Sequence, residues 1–185
     1  MIRTLHSCLL ILLLSPTMLI STTHAGEAPK HDLVRRSCVH ASYPEICLRT
    51  LSSYGAAAST PRDLAQAAVR VSLAHVRRAS EFLSQLKVGG RNCVEQMGDS
   101  VEELSKTLAA LEHLRRGADF RWQMSNAETW VSAALTNEDT CLDGFKEIDG
   151  KVRSDVRRKI TNVARVTSNA LYLINLLDDQ SRGKP

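Results

Sequence analysis

The stretch VRSDVRRKITNVARVTSNALYLINLL, residues 152–177, carries the strongest structural signal in this 185-residue chain. Its seam positions recur in steps of four or three, and Thr167 is the one polar member among Val152, Val156, Ile160, Val163, Thr167, Ala170, Ile174 and Leu177. An α-helix with this spacing places all of these side chains on one side. A 3–4 pattern sustained over so many turns is typical of the seam along which helices pack in a bundle.

Three further runs of about 25 residues show helical periodicity, and glycines separate them. The first begins with TPRD at residues 60–63, where a threonine N-cap, a proline at N1 and an acid at N3 favour helix initiation. The second extends from about Asn92 to Arg116, and the third contains residues 129–145. The sequence therefore predicts an all-α protein with an up-down-up-down four-helix bundle over about residues 60–180.

The first 25 residues are predicted to be a secretory signal peptide that is removed near Ala25. Arg3 precedes an apolar run at residues 8–20, and small residues stand at −3 and −1 of the expected cut. A membrane anchor is the alternative, but the run is short for a bilayer span and Pro16 interrupts it. We therefore expect residues 26–185 to form one secreted, extracellular domain with no membrane attachment.

Four cysteines remain after the signal peptide: Cys38, Cys47, Cys93 and Cys141. An even number in a secreted chain indicates two disulfides, for which three connectivities exist. Zinc is disfavoured, because the cysteines do not form short-spaced pairs and no histidine stands at zinc-finger spacing. If the second and third long helices form an antiparallel hairpin that turns near Phe120, Cys93 and Cys141 lie at the same end of the bundle.

A Cys93–Cys141 bridge therefore fits this layout, and a Cys38–Cys47 bridge follows by elimination. The second bridge closes an N-terminal helical hairpin predicted at about residues 29–56, which turns where Pro44 disfavours helix at the residue before it. From loop entropy, the long bridge contributes ~4 kcal/mol and the short one ~2.5 kcal/mol to stability.

Composition and motifs argue against several classes of function. Arg3 is the only charged residue in the signal peptide, so the mature chain keeps 23 basic and 20 acidic residues, a net charge of +3. Aromatic residues make up only 4%, too few for the stacking platforms of a nucleic-acid-binding protein. No nucleophile elbow, phosphate loop, zinc-protease helix or dinucleotide turn is present. We expect no catalytic residue, metal or cofactor, and His75 is interpreted as a packed histidine rather than a ligand.

The acids Glu138, Asp139 and Asp143 are the one cluster that could serve acid–base chemistry. They stand in a polar stretch near a helix end, so we expect all three to be solvated. A secreted, crosslinked bundle without catalytic groups is most often a binding module.

The third helix, with TWVSAALTNEDTCLDGF at residues 129–145, offers a candidate binding face. At helical spacing Ala127, Trp130, Ala134, Cys141 and Phe145 are expected to face the core. Offset from them is a stripe of short or acidic side chains in steps of four and three: Glu128, Ser132, Thr136, Thr140 and Asp143. Short side chains lose little entropy on binding, so this stripe could dock against another protein. The alternative is an ordinary solvent face.

Three motifs resemble the plant invertase and pectin methylesterase inhibitor family. They are CVHASYPEIC at residues 38–47, the WVSAALT and TCLDGF segments within residues 130–145, and NAL followed by IN within residues 169–175. The resemblance covers essentially the whole mature chain. It implies a four-helix bundle preceded by a helical hairpin, with first–second and third–fourth cysteine bridges. It also implies an extracellular, monomeric inhibitor that binds either pectin methylesterase or acid invertase in a one-to-one, non-covalent complex.

The third-helix motifs resemble the pectin methylesterase inhibitors more closely than the invertase inhibitors. Invertase inhibitors often carry a Pro-Lys-Phe loop before this helix, and this chain has Ala118, Asp119 and Phe120 in the comparable place. The resemblance implies that bundle helices cover the pectin-binding cleft beside the catalytic carboxylates of the enzyme, with Thr140 and its stripe neighbours in the contact. Acid invertase is the alternative target, and a non-inhibitory structural or signalling bundle is the second alternative.

Overall fold

The computed structural model describes residues 28–54, 57–86, 91–115, 117–148 and 150–183. Within them the chain forms six α-helices and one 3-10 turn: α1 (Ala28–Cys38), α2 (Pro44–Leu51), the turn Ser52–Tyr54, α3 (Pro61–Ser84), α4 (Arg91–Glu112), α5 (Ala118–Asp143) and α6 (Lys151–Ser181). No strand occurs in the described part of the chain. The predicted signal peptide lies outside the described residues.

The four long helices form a closed bundle in which each helix packs against its neighbours in the chain. α3 contacts α4 and α6, and α5 also contacts α4 and α6, so that α6 closes the ring against α3. Their apolar seams meet in one continuous core. The predicted all-α, up-down-up-down bundle preceded by a helical hairpin is confirmed.

The start of α3 has the N-cap chemistry that the sequence predicts. The Thr60 hydroxyl accepts a hydrogen bond from the Asp63 backbone N–H at 3.1 Å, and the Asp63 carboxylate accepts one from the Thr60 N–H at 2.9 Å. This reciprocal capping box satisfies amides that have no partner inside the helix.

The turn between α4 and α5 differs from the prediction. α4 ends at Glu112 rather than near Arg116, and Phe120 lies in the first turn of α5 instead of in the connection. Side chains of α3 decide this end: Arg62 Nε and Gln66 Nε2 donate hydrogen bonds to the Leu111 carbonyl at 2.8 and 3.0 Å. Because those donors satisfy a terminal carbonyl, α4 can end one turn early.

Two disulfides crosslink the chain, between Cys38 and Cys47 and between Cys93 and Cys141. The first joins the end of α1 to α2, with a Cα–Cα distance of 5.5 Å. The second joins the first turn of α4 to the last turn of α5, with a Cα–Cα distance of 4.2 Å. All four cysteines are buried. The crosslinks therefore hold the hairpin and one end of the α4–α5 pair.

The N-terminal hairpin is docked on the bundle through Asn169 of α6. The Tyr43 N–H donates to Asn169 Oδ1 at 2.9 Å, and Asn169 Nδ2 donates to the Tyr43 carbonyl at 3.0 Å. Asn169 is 3% exposed. One buried amide thus satisfies both backbone groups of Tyr43 just before α2 begins.

Candidate functional site

The outward side of α5 holds most of the predicted binding stripe. Ser132, Thr136, Thr140 and Asp143 are exposed, whereas Ala127, Ala134, Cys141 and Phe145 are buried as expected. Trp130 differs from the prediction, because it is only half-buried and Val131 takes the core position. The exposed residues Ser132, Thr136, Thr140 and Asp143 are called the α5 face below.

The two threonine hydroxyls of the α5 face already use their protons within the helix. Thr136 Oγ1 donates to the Ser132 carbonyl at 3.1 Å, and Thr140 Oγ1 donates to the Thr136 carbonyl at 2.8 Å. Each oxygen keeps free lone pairs that point away from its own donor bond. The α5 face therefore presents hydrogen-bond acceptors with fixed side-chain rotamers to a partner.

Asp143 ends the α5 face at the C-terminus of the helix. Its carboxylate pairs with Lys146 at 2.7 Å, and both side chains are more than half exposed. An exposed pair of this kind contributes little to stability and breaks easily when a partner approaches. Asp143 can therefore exchange Lys146 for a cationic or hydrogen-bond-donating group of another protein.

Glu128, the first member of the predicted stripe, does not share this open surface. It is half-buried on the side of α5 that meets α6, close to Asp178 and Arg182. Burial raises the pKa of Glu128, the nearby Asp178 raises it further, and Arg182 lowers it. Steps of four drift by roughly 40° around a helix of 3.6 residues per turn, which carries Glu128 away from Thr140.

Glu138 is a correction to the sequence prediction, because it is fully buried instead of solvated. Its Oε1 accepts a hydrogen bond from the Thr167 hydroxyl at 2.9 Å, and its Oε2 has no partner. Burial raises the pKa of Glu138 to about 8; the charge of Asp139 also raises it, while the Thr167 bond lowers it. A carboxyl with no exposed surface cannot reach a substrate, so its position argues for structure rather than catalysis.

The positions of Glu138 and Thr167 in the sequence indicate burial, although both side chains are polar. Glu138 stands four residues after Ala134 and three before Cys141, on the same seam as the core of α5. Thr167 is likewise the polar member of the α6 seam. Two polar seam positions on neighbouring helices therefore meet inside the bundle.

The described residues were compared with the requirements of a metal site and of a membrane-spanning helix. No group of three or more histidine, cysteine, aspartate or glutamate side chains is placed to hold a metal ion there. Among the same residues, every helix is too short or too polar to cross a bilayer. His75 is half-buried, with Nδ1 3.2 Å from Asn162 Nδ2 on α6.

Known proteins share both the sequence and the fold. A sequence profile of the plant invertase/pectin methylesterase inhibitor family matches residues 32–173. Pectinesterase inhibitor 3 from Arabidopsis thaliana is 51% identical over 89% of this chain and 88% of its own length. Pectinesterase inhibitor 9 from the same plant is 39% identical over 92% of this chain and 93% of its own.

The fold itself recurs in solved structures. A crystal structure of a mutant form of a pectin methylesterase inhibitor from Arabidopsis superposes with a TM-score of 0.61. It covers 75% of this chain and 93% of its own, at 22% sequence identity. This likeness supports the helical architecture alone.

The class follows from these relatives: the protein is an enzyme inhibitor rather than an enzyme. The chain belongs to the plant invertase/pectin methylesterase inhibitor family. Its resemblance to the pectin methylesterase inhibitor branch is confirmed by the relatives named above.

Proposed function

We propose that the mature chain is a secreted inhibitor that binds pectin methylesterase one-to-one and covers its pectin-binding cleft. The observation that carries this proposal is the 51% identity to pectinesterase inhibitor 3 along nearly the whole of both chains. Fold alone would not choose the target, because one scaffold can present different binding surfaces. Secretion rests on the signal-peptide pattern of the first 25 residues.

The surroundings of Phe120 favour the esterase over acid invertase as the target. Phe120 lies inside the first turn of α5 and packs against the core, where it is partly buried. A residue held in this way cannot project from a loop into an active site. The feature that would support invertase inhibition is therefore missing from the start of α5.

The α5 face supports a steric mechanism. Its side chains are short, and Thr136 and Thr140 are already fixed by hydrogen bonds to their own helix. Little conformational entropy remains to be lost when such a surface docks. Thr136 and Thr140 accept hydrogen bonds from donors at the rim of the cleft, and the body of the bundle keeps the polymer out.

The test adds the purified chain without residues 1–25 to a pectin methylesterase and to an acid invertase in parallel. We expect the esterase to lose activity and the invertase to keep it, with the complex eluting from a size-exclusion column at the mass of a one-to-one heterodimer. Inhibition of invertase alone would replace the proposed target. Inhibition of neither enzyme would favour a structural or signalling role.

A competition assay tests whether the cleft is covered. Added pectin oligomers should raise the inhibitor concentration needed for half-inhibition, since polymer and inhibitor compete for one surface. A half-inhibition concentration that does not change with oligomer concentration would exclude cleft blocking while leaving the target intact.

A further inference from the structure

The groove between α3 and α6 collects exposed cationic side chains. Arg78 of α3, Lys159 and Arg165 of α6 and Arg49 of α2 are all exposed. None of the four forms an ion pair with an acid among the residues that the structure describes. Glu81, three residues after Arg78, does not pair with them either. No ion pair within the described part of the chain therefore neutralises these four side chains.

A cleft of about 150 Å³ lies at the centre of this groove, lined by His75, Arg78, Ala79, Lys159, Asn162 and Val163. His75 and Asn162 meet across it, with 3.2 Å between His75 Nδ1 and Asn162 Nδ2. The Lys159 ammonium stands 4.6 Å from the centre of the Phe82 ring. The cleft thus combines neutral polar groups on its floor with cations at its rim.

The pKa of His75 reflects the positive charges around the cleft. Its pKa is lowered by burial first, and then by the charges of Arg78 and Arg49. Both arginines therefore lie close enough to oppose a further positive charge at the imidazole. The same two positive charges would attract an anion bound there.

Two cations of α6 flank Asn162. Lys159, Asn162 and Arg165 follow one another in steps of three along α6, which places the first and last about 9 Å apart along the helix axis. Arg165 lies 5.4 Å from the centre of the Tyr43 ring, beside the docked hairpin. Steps of three also turn by roughly 60° around the axis, so Lys159 and Arg165 lie to either side of Asn162 rather than in one row. Cations on both sides of an amide suit a ligand that carries more than one anionic group.

We propose that the α3–α6 groove binds de-esterified pectin through the carboxylates of its uronate units. The choice of this polymer rests on the proposed function, because removal of methyl esters by the target enzyme creates those carboxylates. Arginine and lysine form charge-assisted hydrogen bonds with carboxylates, and Asn162 and His75 can bond to hydroxyls of the same sugar. A flat lipid surface cannot reach the half-buried floor of the cleft, whereas a polymer chain can.

The groove and the α5 face occupy different parts of the bundle. α5 packs against α4 and α6 and is diagonal to α3, so the outer side of α5 is turned away from the α3–α6 groove. One molecule can therefore hold the wall polymer and the enzyme at the same time. This arrangement keeps the inhibitor where de-esterification has already occurred.

The experiment measures binding of the chain without residues 1–25 to polygalacturonate oligomers by isothermal titration calorimetry. Fully methyl-esterified oligomers of the same length serve as the neutral comparison. The site variant is Arg78→Gln with Lys159→Gln, and the control variant is Arg77→Gln with Arg157→Gln. The control makes the same change in net charge on the same two helices, but Arg77 faces the α3–α4 side and Arg157 the α5–α6 side.

We expect binding to the acidic oligomer only, and a loss of roughly tenfold in affinity for the site variant, equivalent to about 1.4 kcal/mol. The control variant should lose less than about threefold, since screening weakens distant charges at physiological salt. Equal losses in both variants, or no binding by the unaltered protein, would overturn the proposal. Equally tight binding of short duplex DNA or of anionic vesicles would also overturn it, because the groove would then select charge alone.

Esterase inhibition by the same variants separates this proposal from the proposed function. Polymer binding by a protein that inhibits no esterase would refute the proposed function and leave the groove assignment standing. Inhibition without polymer binding would do the reverse.

Discussion

Replacement of Glu138 by glutamine should make the bundle more stable at neutral and alkaline pH. The variant Glu138→Gln keeps the shape of the side chain and an oxygen that can accept the Thr167 hydroxyl bond. It removes a buried carboxyl group whose Oε2 has no hydrogen-bond partner among the described residues. The free energy of unfolding then no longer depends on whether this carboxyl can ionise inside the protein.

The magnitude follows from the pKa of Glu138 in the two states. An unfolded chain ionises this residue near its ordinary pKa of 4.5, while burial raises the pKa in the folded protein to about 8. Between these values the folded state holds one more proton than the unfolded state, so stability falls by about 1.4 kcal/mol for each pH unit. This contribution is fully present below the unfolded pKa and is lost as the pH rises to the folded pKa. From pH 5 to pH 8 the loss amounts to about 4 kcal/mol.

Urea denaturation at pH 5, 6, 7 and 8, with both disulfides intact, measures the effect. The free energies of unfolding of the unaltered protein and Glu138→Gln should differ least at pH 5, which is close to the pKa of Glu138 in the unfolded chain. Their difference should then grow with pH in favour of glutamine. Glu95→Gln, which removes an exposed carboxyl on α4, is the control for the change in net charge. If the free energies of unfolding of the unaltered protein and Glu138→Gln change with pH in parallel, Glu138 is not a buried, neutral carboxyl.

Three further variants test other parts of the molecule. Cys93→Ser with Cys141→Ser should lower the free energy of unfolding by ~4 kcal/mol and lower the melting temperature; an unchanged urea midpoint would contradict the crosslinked bundle end. Asn169→Ala removes the partner of the Tyr43 N–H, while the Tyr43 carbonyl keeps its bond from the Cys47 N–H. Stability should therefore fall by about 1–3 kcal/mol and amide exchange in the hairpin should accelerate, while exposed Asn175→Ala has neither effect. Unaltered exchange rates in α2 would disprove the docking role. Thr140→Arg should weaken esterase inhibition at least tenfold (about 1.4 kcal/mol) without a change in helicity. Ser154→Arg on α6 is the control, and it should inhibit like the unaltered protein. Full inhibition by Thr140→Arg would show that the α5 face is not the contact surface.

The architecture was predictable because the helical seams are long and almost purely apolar. In α6 the periodicity from Val156 to Ile174 identified the buried side, and the structure buries the same positions. The end of α4 was not predictable in this way. It depends on Arg62 and Gln66, which come from another helix and reach the Leu111 carbonyl only after the bundle has formed.

The predicted site shows the same division between local and tertiary information. Exposure of Ser132, Thr136 and Thr140 follows from the face of one helix, so periodicity alone locates it. The environments of Glu128 and Glu138 depend on the register between α5 and α6, which sets Asp178 beside the first and Thr167 beside the second. When one helix is considered alone, a carboxylate is expected to face water. Only its neighbours in the folded protein can show that it is buried.

The clamp between Tyr43 and Asn169 has a consequence for biosynthesis. These residues are 126 positions apart, whereas the cysteines of the hairpin are separated by only 9. A chain that emerges from its N-terminus can oxidise the hairpin early, but the hairpin gains its anchor only when α6 has been delivered. The order of assembly is therefore opposite to the order of translation at this point: the hairpin is made before α6 but is anchored only after α6 is present.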